Sequence, residues 1–277
     1  MGCILGVVIA EIGGHRFEWG SRTYVMGIVN VTPDSFSGDG LADDPEAAVA
    51  QGLRMVEEGA DLLDVGGEST RPGHVPISAG EEIARTEEVV RRLSKESGMP
   101  VSIDTYKIDV AEAAVATGAT IVNDVWGLAR TPVLAELAAR HECALVVMHN
   151  QDGTEYPGDV MTEVKRFLRA SVNAAIAAGV ARERILVDPG IGFGKTADQN
   201  WEVMRRLEEL RELGQPVLIG TSRKSFIGKL LDVPVTDRVE GTAATVTAAI
   251  LRGADVVRVH DVREMVRVVR VADRMSR

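Results

Sequence analysis

Short runs rich in β-branched residues alternate with long segments of helical periodicity along most of the chain, and this alternation limits the possible folds more than any other feature. The predicted strands lie near residues 24–30, 61–65, 100–104, 119–123, 143–148, 184–188, 216–220 and 255–260. The predicted helices lie near residues 45–58, 79–97, 108–117, 131–140, 159–179, 198–213, 237–252 and 262–275. Parallel strands need helical crossovers, and a barrel closed from eight of them has no exposed sheet edge. We therefore predict an α/β fold, a (β/α)8 TIM barrel, with a doubly wound open sheet as the alternative.

Residues 1–20 are predicted to form a short N-terminal β-hairpin that precedes the barrel. Residues 7–11 and 15–19 flank Gly13 and Gly14, and paired glycines are typical of a tight hairpin turn. No stretch rich in Pro, Gly or Ser divides the rest of the chain, and 277 residues fit one α/β barrel of about 250 residues. We therefore predict a single domain over residues 1–277.

Composition and charge argue against several classes of protein. The chain carries 31 Lys and Arg against 41 Asp and Glu, a formal net charge of -10, whereas a nucleic-acid-binding protein needs a basic surface. The longest apolar run near the start, residues 4–10, is too short to cross a membrane and has no basic residue before it. The two cysteines, Cys3 and Cys143, do not form a disulfide framework. We expect a cytoplasmic protein with no nucleic-acid or membrane partner.

Polar residues follow the predicted strands at their carboxyl ends, where the loops of a barrel meet on one face. These strand ends carry Asn30, Asp64, Asp104, Asn123, His149, Asp188, Lys224, Arg258 and His260. A single polar residue in such a place is usually a helix N-cap, but the coincidence at every strand is hard to explain by capping. Carboxylates and amides accept hydrogen bonds, while the basic side chains suit phosphate oxygens. The mixture therefore fits a polar ring that carries a phosphorylated arm.

Seven sequence blocks resemble the signature motifs of the dihydropteroate synthase family. They are MGIVNVTPDSFSGDG (26–40), DVGGESTRPG (64–73), SIDT (102–105), VNDV (122–125), DPGIGFGK (188–195), GTSRKSFIG (220–228) and GADVVRVHDV (253–262). The resemblance implies a TIM-barrel transferase that joins 6-hydroxymethyl-7,8-dihydropterin diphosphate to p-aminobenzoate, giving 7,8-dihydropteroate and diphosphate in folate synthesis. It also implies a Mg2+ cofactor, a homodimer formed through the C-terminal helices, and inhibition by sulfonamides.

Carried over residue by residue, the motifs imply three groups of binding residues. The pterin-binding group consists of Asp104, Asn123, Met148, Asp188, Gly192, Phe193 and Lys224. The diphosphate-binding group consists of Asn30, Thr70, Arg258, Val259 and His260, with Asn30 as the Mg2+ ligand. The aminobenzoate-binding group consists of Phe36, Thr70, Arg71, Pro72, Lys224 and Ser225. The catalytic residues that the resemblance implies are Asp34, Lys224, Arg258 and His260.

The implied mechanism is dissociative. Diphosphate departs first, and the aniline nitrogen of p-aminobenzoate attacks the resonance-stabilised pterin methyl cation that remains. Such a reaction needs no nucleophilic side chain, because charge stabilisation and alignment of the two rings lower the activation free energy of the reaction.

Other functions stay open on the sequence alone. Residues 190–196 look like a P-loop, but that motif would need Gly where Pro189 stands. Lys224 on a strand-end loop suggests the Schiff-base lysine of an aldolase-type barrel. Pterin-dependent methyltransferases share the barrel but are not expected to carry all seven blocks, and a non-catalytic pterin-binding paralogue would be expected to lack a loop residue. The stretches at 37–40 and 149–159 depart from the commoner family pattern without touching an implied ligand.

Overall fold

The computed structural model describes residues 8–32, 44–69 and 75–277. Within these residues a hairpin of two antiparallel strands, β1 (Val8–Ile12) and β2 (His15–Trp19), precedes a sheet of eight parallel strands. The parallel strands are β3 (Tyr24–Asn30), β4 (Leu62–Gly66), β5 (Val101–Asp104), β6 (Ile121–Asp124), β7 (Ala144–Met148), β8 (Ile185–Asp188), β9 (Leu218–Ile219) and β10 (Val256–Val259).

The eight parallel strands form a closed ring. They pair in chain order from β3 to β8, and β10 pairs with both β3 and β9. A parallel bridge between Val187 and Val217 joins β8 to the edge formed by β9. The predicted TIM barrel is therefore confirmed, and the open-sheet alternative is wrong.

Helices occupy the connections between the strands. They are α1 (Pro45–Glu57), α2 (Ala79–Glu96), α3 (Ile108–Thr117), α4 (Leu134–Arg140), α5 (Val160–Ala177), α6 (Ala197–Arg205), α7 (Ser225–Leu231), α8 (Val239–Leu251) and α9 (Val262–Ser276). Local sequence sets several helix starts: Asp44 accepts the N–H of Ala47 in α1, and Thr196 forms a capping box with Gln199 in α6.

The structure differs from the prediction at two helices. The helix predicted over 198–213 ends at Arg205, and a 3-10 segment covers Leu207–Leu213, where three leucines three residues apart are all buried. A spacing of three matches the three-residue turn of that helix type. Helix α7 was not predicted, because seven residues are too few to show a helical period.

Side chains along the barrel strands alternate between two cores. One set, which includes Val65 and Val187, faces outward and packs against the helices in an outer hydrophobic core. The other set faces the barrel axis, as Leu62 and Leu186 do. Period-two alternation is the geometry of a strand, so every inward position two residues further along comes one layer closer to the carboxyl ends.

The N-terminal hairpin closes the other end of the barrel. Phe17 and Trp19 stack at 5.1 Å between ring centroids and share a buried cluster with Tyr24 and Met26 of β3. The indole of Trp19 donates to the carbonyl of Glu183, 3.1 Å away, just before β8. The predicted hairpin is therefore confirmed as an element, and its turn places Gly13 and Gly14 at positive φ.

The described residues include no helix with both the length and the apolar character needed to cross a membrane. Location in the cytoplasm and the single-domain boundary at 1–277 stay predictions.

Candidate active site

A cavity of about 590 Å³ opens at the carboxyl ends of the barrel strands. Six strands or the loops directly after them supply its walls, and the predicted site residues among them are Asn30, Asp104, Gly192, Phe193, Lys224, Ser225, Arg258 and His260. Asn123 and Asp188 are buried in the barrel interior and are not part of these walls. The cavity therefore has a rim of basic and amide groups and a floor of acidic ones.

Arg258 joins the acidic groups in the barrel interior. Its Nε donates to Oδ2 of Asp64 at 2.6 Å, and its Nη2 donates to Oδ2 of Asp104 at 2.8 Å. The amide of Asn123 donates to the same Asp64 oxygen at 3.1 Å. The remaining oxygens, Oδ1 of Asp64 and of Asp104, are buried without a hydrogen-bond partner in the described part of the chain. A buried acceptor without a donor is costly, so the oxygen of Asp104, which lines the cavity, is suited to receive an N–H group from a ligand.

Burial controls the charge of two carboxyl groups in this layer. It raises the pKa of Asp104 to about 7, although the Arg258 guanidinium acts in the opposite direction. It also raises the pKa of Asp188 to about 6, against the lowering effect of the Gly190 N–H, which Asp188 accepts at 2.7 Å. A ligand that donates to either group would favour the ionised form.

The glycine-rich segment after β8 folds tightly against the end of β7. Gly190 has φ +68°, and a Cβ there would lie 1.9 Å from the carbonyl oxygen of His149, so only glycine fits. Gly192 at φ +85° approaches the side chain of Lys224, where an added Cβ would lie 3.0 Å from its Cδ. Met148, at the end of β7, is 4% exposed and packs behind this turn.

Lys224 lies between the glycine-rich turn and the start of α7. Its ammonium is 4.0 Å from the centroid of the Phe193 ring, a cation–π contact. Ser225 is the first residue of α7 and is exposed to the cavity. Lys224 is half-buried and lines the cavity between the turn and α7.

The diphosphate residues implied by the motifs divide into two groups in the structure. Asn30 and His260 line the cavity, and Nδ1 of His260 lies 3.0 Å from the hydroxyl of Ser222. The side chain of Val259, which the resemblance places in the diphosphate-binding group, alternates with Arg258 and is fully buried in the outer core. Any contact of Val259 with a ligand has to come from its backbone.

The first two strand-end loops are only partly described. The predicted residues Asp34, Phe36, Thr70, Arg71 and Pro72 lie outside the described residues, and their placement stays a prediction.

The segment that precedes them in the second loop is held at its base. Glu68 accepts from Lys107 at 2.6 Å, from the N–H of Ile77 at 2.8 Å and from Tyr106 at 2.9 Å. Burial raises the pKa of Glu68, but these hydrogen bonds lower it further than burial raises it. Lys107 also donates to the carbonyl of Ile77 at 2.8 Å and to Glu82 at 2.6 Å. Glu68 and Ile77, on the two sides of the loop, are therefore bound to the same lysine.

Sequence reasoning missed two residues that the structure brings into the site. Asp64 was identified only as a strand end. It lies two residues after the inward-facing Leu62 on β4, so it also faces the barrel interior, and it binds Arg258. Lys195 was considered only as a P-loop lysine, yet it is buried beneath the glycine-rich turn. The strand period was a usable signal for Asp64, whereas nothing local in the sequence places Lys195.

Comparison with known proteins agrees with the sequence motifs. The family profile described as "Pterin binding enzyme" matches residues 26–260. The dihydropteroate synthase of Clostridium beijerinckii is 48% identical over 264 residues, which are 95% of this chain and 98% of that protein. The crystal structure of dihydropteroate synthase from Clostridium difficile in the presence of pteroic acid matches with a TM-score of 0.90 and 49% identity, over 94% of this chain and 99% of that one.

A second matching structure was solved with 4-aminobenzoic acid in place of a pterin compound. Dihydropteroate synthase from Xanthomonas albilineans with 4-aminobenzoic acid matches with a TM-score of 0.91 and 44% identity, covering 97% of this chain and 98% of that one. The matches span both the acidic floor and the basic rim of the cavity.

Proposed function

The chain belongs to the dihydropteroate synthase family of pterin-binding transferases, and we propose that its barrel mouth is where 6-hydroxymethyl-7,8-dihydropterin diphosphate and p-aminobenzoate are condensed to 7,8-dihydropteroate and diphosphate. The observation that carries this assignment of the site is the acidic floor directly beneath a basic rim, in which the cavity-lining Asp104 keeps one carboxylate oxygen without a hydrogen-bond partner among the described residues. Because the chain belongs to this family, we set aside the P-loop kinase and aldolase alternatives.

The acidic floor would hold the pterin ring. The amino and ring N–H groups of a pterin form adjacent donors, and a carboxylate can accept both at once. Asp188 and Asp104 are the groups suited to this role, while Asn123, oriented by its hydrogen bond to Asp64, presents its amide beside them. Phe193 and Gly192 would allow a flat ring to lie against the turn, next to Lys224.

The basic rim would hold the diphosphate. His260 and Arg258 supply donors for phosphate oxygens, and the Ser222 hydroxyl fixes the imidazole of His260. Arg258 also contacts Asp104, so it belongs to the pterin floor as well as to the leaving-group site. This double position differs from the clean division between the two groups that the motifs implied.

A Mg2+ ion fits the donor set of this rim as a weakly protein-bound ion. In the described part of the chain, no group of three or more His, Cys, Asp or Glu side chains could hold a metal. Mg2+ keeps several waters and often binds through one or two protein oxygens plus substrate phosphates, and the amide oxygen of Asn30 lies on the cavity wall where it can be one of these. When bound, the ion would neutralise part of the diphosphate charge.

The mechanism we propose is dissociative. The carbon–oxygen bond to diphosphate breaks, and the aniline nitrogen then attacks the pterin methyl carbon and loses a proton. Lys224 would hold the two rings in line from between their subsites, with Ser225 beside the carboxylate of p-aminobenzoate. Alignment of two bound reactants contributes about 7–11 kcal/mol in favourable cases. Asp34, Phe36, Thr70, Arg71 and Pro72 are proposed to complete the aminobenzoate side and to exclude water.

An assay of diphosphate release, with each substrate omitted in turn, tests this function. We expect release only when pterin diphosphate, p-aminobenzoate and Mg2+ are all present, with 7,8-dihydropteroate formed in equal amount. Diphosphate release of the same rate without p-aminobenzoate would indicate a hydrolase and would contradict the proposal.

The homodimer through the C-terminal helices is also a proposal. Val271 and Met275 of α9 and Leu251 of α8 are 62%, 60% and 47% exposed, and large exposed apolar side chains on packed neighbouring helices suit an interface. Sedimentation should show a dimer for the wild type and a monomer for Val271→Glu. A wild-type monomer at micromolar concentration would remove this proposal.

A further inference from the structure

Lys195 is a buried lysine whose three ammonium hydrogens are all used within the protein. It is 8% exposed, and its Nζ lies 2.8 Å from Nδ1 of His149, 3.0 Å from the carbonyl oxygen of Gly190 and 3.1 Å from that of Phe193. The segment from Gly190 to Phe193 therefore wraps around the ammonium group. The sequence alone assigns this lysine no role.

Among the described residues, no carboxylate contacts the ammonium of Lys195. Burial lowers the pKa of Lys195 to about 7, although Asp188 raises it from a distance. Burial and the neighbouring Lys195 lower the pKa of His149 to about 3, so this histidine is a neutral acceptor. Tyr156 stacks on the His149 ring with 6.0 Å between centroids and donates to the carbonyl of Gly194 at 2.8 Å.

The segment held by Lys195 contacts both charged groups of the pterin subsite. The carbonyl of Gly190 accepts from Lys195, while the N–H of Gly190 donates to Asp188. The carbonyl of Phe193 accepts a hydrogen bond from Lys195, and the face of its ring contacts the ammonium of Lys224. One buried lysine is thus connected through single residues to Asp188 on one side and to Lys224 on the other.

We propose that Lys195, supported by His149, is a positioning residue for the pterin subsite, because it holds the Gly190–Phe193 turn that orients Asp188 and Lys224. This inference rests on the proposed pterin site. Lys195 acts through the turn and does not touch the ligand. In the described part of the chain this buried ammonium is bound by two carbonyls and a neutral imidazole and by no carboxylate, an arrangement that is less favourable than an apolar side chain of similar length in the same space.

Lys195→Met tests the proposal, with Lys165→Met as the matched control. Methionine retains most of the unbranched side chain, one heavy atom shorter, and removes the three donors, whereas the half-buried Lys165 pairs with Glu209 and Glu212 and does not line the cavity. Calorimetry with 6-hydroxymethylpterin should show Kd raised tenfold or more in Lys195→Met and unchanged in Lys165→Met. Wild-type affinity in Lys195→Met would overturn the inference.

A pair of His149 variants keeps the test decisive where Lys195→Met does not fold. His149→Asn retains an acceptor near the position of Nδ1, while His149→Leu removes it. We expect weaker pterin binding in His149→Leu and recovery of most of that loss in His149→Asn. Equal pterin affinity in His149→Leu and the wild type, or equal losses in the two variants, would contradict the positioning role.

The pH profile supplies a readout that a purely structural role would not change. The charged groups that face Lys195 are Asp188 and Lys224, and the neutral ones are His149 and Tyr156, whose pKa burial raises. Pterin affinity should fall above about pH 7 as Lys195 loses a proton and one donor, and this alkaline limb should be absent in Lys195→Met. Its persistence would overturn the inference, whereas absence of pterin binding in the wild type and in Lys165→Met would instead overturn the proposed function.

Discussion

The two ends of the barrel are built from the same strands but hold opposite kinds of side chain. At the amino end, the inward positions are apolar except for Ser102 on β5, and they are covered by Phe17 and Trp19 of the hairpin. At the carboxyl end, the inward positions two residues further along are carboxylates, an amide and a guanidinium. The pairs that change in this way are Leu62 and Asp64, Ile121 and Asn123, Leu186 and Asp188, and Val256 and Arg258.

This difference shows how one barrel separates stability from chemistry. Burial of apolar side chains at the amino end favours folding by about 25 cal/mol per Å² of apolar surface. Burial of carboxyl groups at the carboxyl end opposes folding, and the raised pKa values of Asp104 and Asp188 record that cost. We therefore expect substitutions at the two ends to affect different measurements.

The largest effect is expected for Phe17→Ala at the amino end. Phe17 is 2% exposed and lies 4.8 Å from Tyr24 between ring centroids, so truncation should leave a cavity and lower the free energy of unfolding by about 3–5 kcal/mol. Urea denaturation measures this loss. The KM for pterin diphosphate should remain that of the wild type while the variant is folded, and a large rise in KM would break the separation of the two ends.

Asp188→Ala at the carboxyl end should show the reverse pattern. Loss of a charge-assisted contact to a buried ligand costs about 2–5 kcal/mol, which is roughly a 30-fold to 4,000-fold rise in the Kd for the pterin. Calorimetry measures that affinity, and thermal unfolding should show a Tm no lower than that of the wild type. Unchanged pterin affinity would remove Asp188 from the pocket.

The acid side of the pH profile should separate binding from stability within the same layer. A pterin donates to the ionised form of Asp188, whose pKa is about 6, so affinity should fall about tenfold between pH 7 and pH 5. Asp104, with a pKa of about 7, should extend the loss. Titration calorimetry at each pH measures the change, and an affinity independent of pH would show that neither carboxyl group binds the ligand as an anion.

Stability should change with pH in the opposite direction. A carboxyl group whose pKa is raised on folding stabilises the protein fully below its unfolded pKa, and this contribution is lost as the pH rises through the folded value. For Asp188 and Asp104 the loss falls between about pH 4 and pH 7. Asp104→Asn should flatten the pH dependence of the denaturation midpoint, and an unchanged slope would contradict the raised pKa.

The smallest effect is expected for Val259→Ala, which tests the alternation along β10. Val259 is fully buried on the outer face, next in sequence to Arg258 on the inner face. The KM for pterin diphosphate should change by less than about twofold, because the backbone at position 259 is retained. A large rise in KM with unchanged kcat would show that the side chain shapes the diphosphate site after all.

The fold was predictable because its signals are local. Strand runs, caps such as Asp44 and the glycine pair at 13–14 depend on neighbouring residues, and they gave nearly all elements within a few residues. The exceptions were short or irregular: α7 has seven residues, and the segment Leu207–Leu213 follows a spacing of three. In both, the surrounding packing selects a conformation that the local period does not specify.

The site was predictable in its members but not in its contacts. The sequence motifs identified Asp104, Asn123, Asp188, Lys224 and Arg258, and the barrel brings all of them to one end. They did not reveal that Arg258 contacts two carboxylates, or that the side chain of Val259 faces away. The contacts of Arg258 depend on how the barrel closes, because Asp64 on β4 and Asp104 on β5 belong to strands that do not pair with β10 and lie more than a hundred positions away in the chain.

Residue types and spacing alone were enough to establish the barrel, the family and the set of polar strand ends, because alternation and motif order are written along the chain. Tertiary structure was needed to identify Asp64 as the partner of Arg258, to place the hairpin across the amino end, and to put Lys195 under the turn between Asp188 and Lys224. The physical reason is that hydrogen bonds and burial act over a few ångströms in space, and residues such as 64 and 258 become neighbours only when the sheet closes.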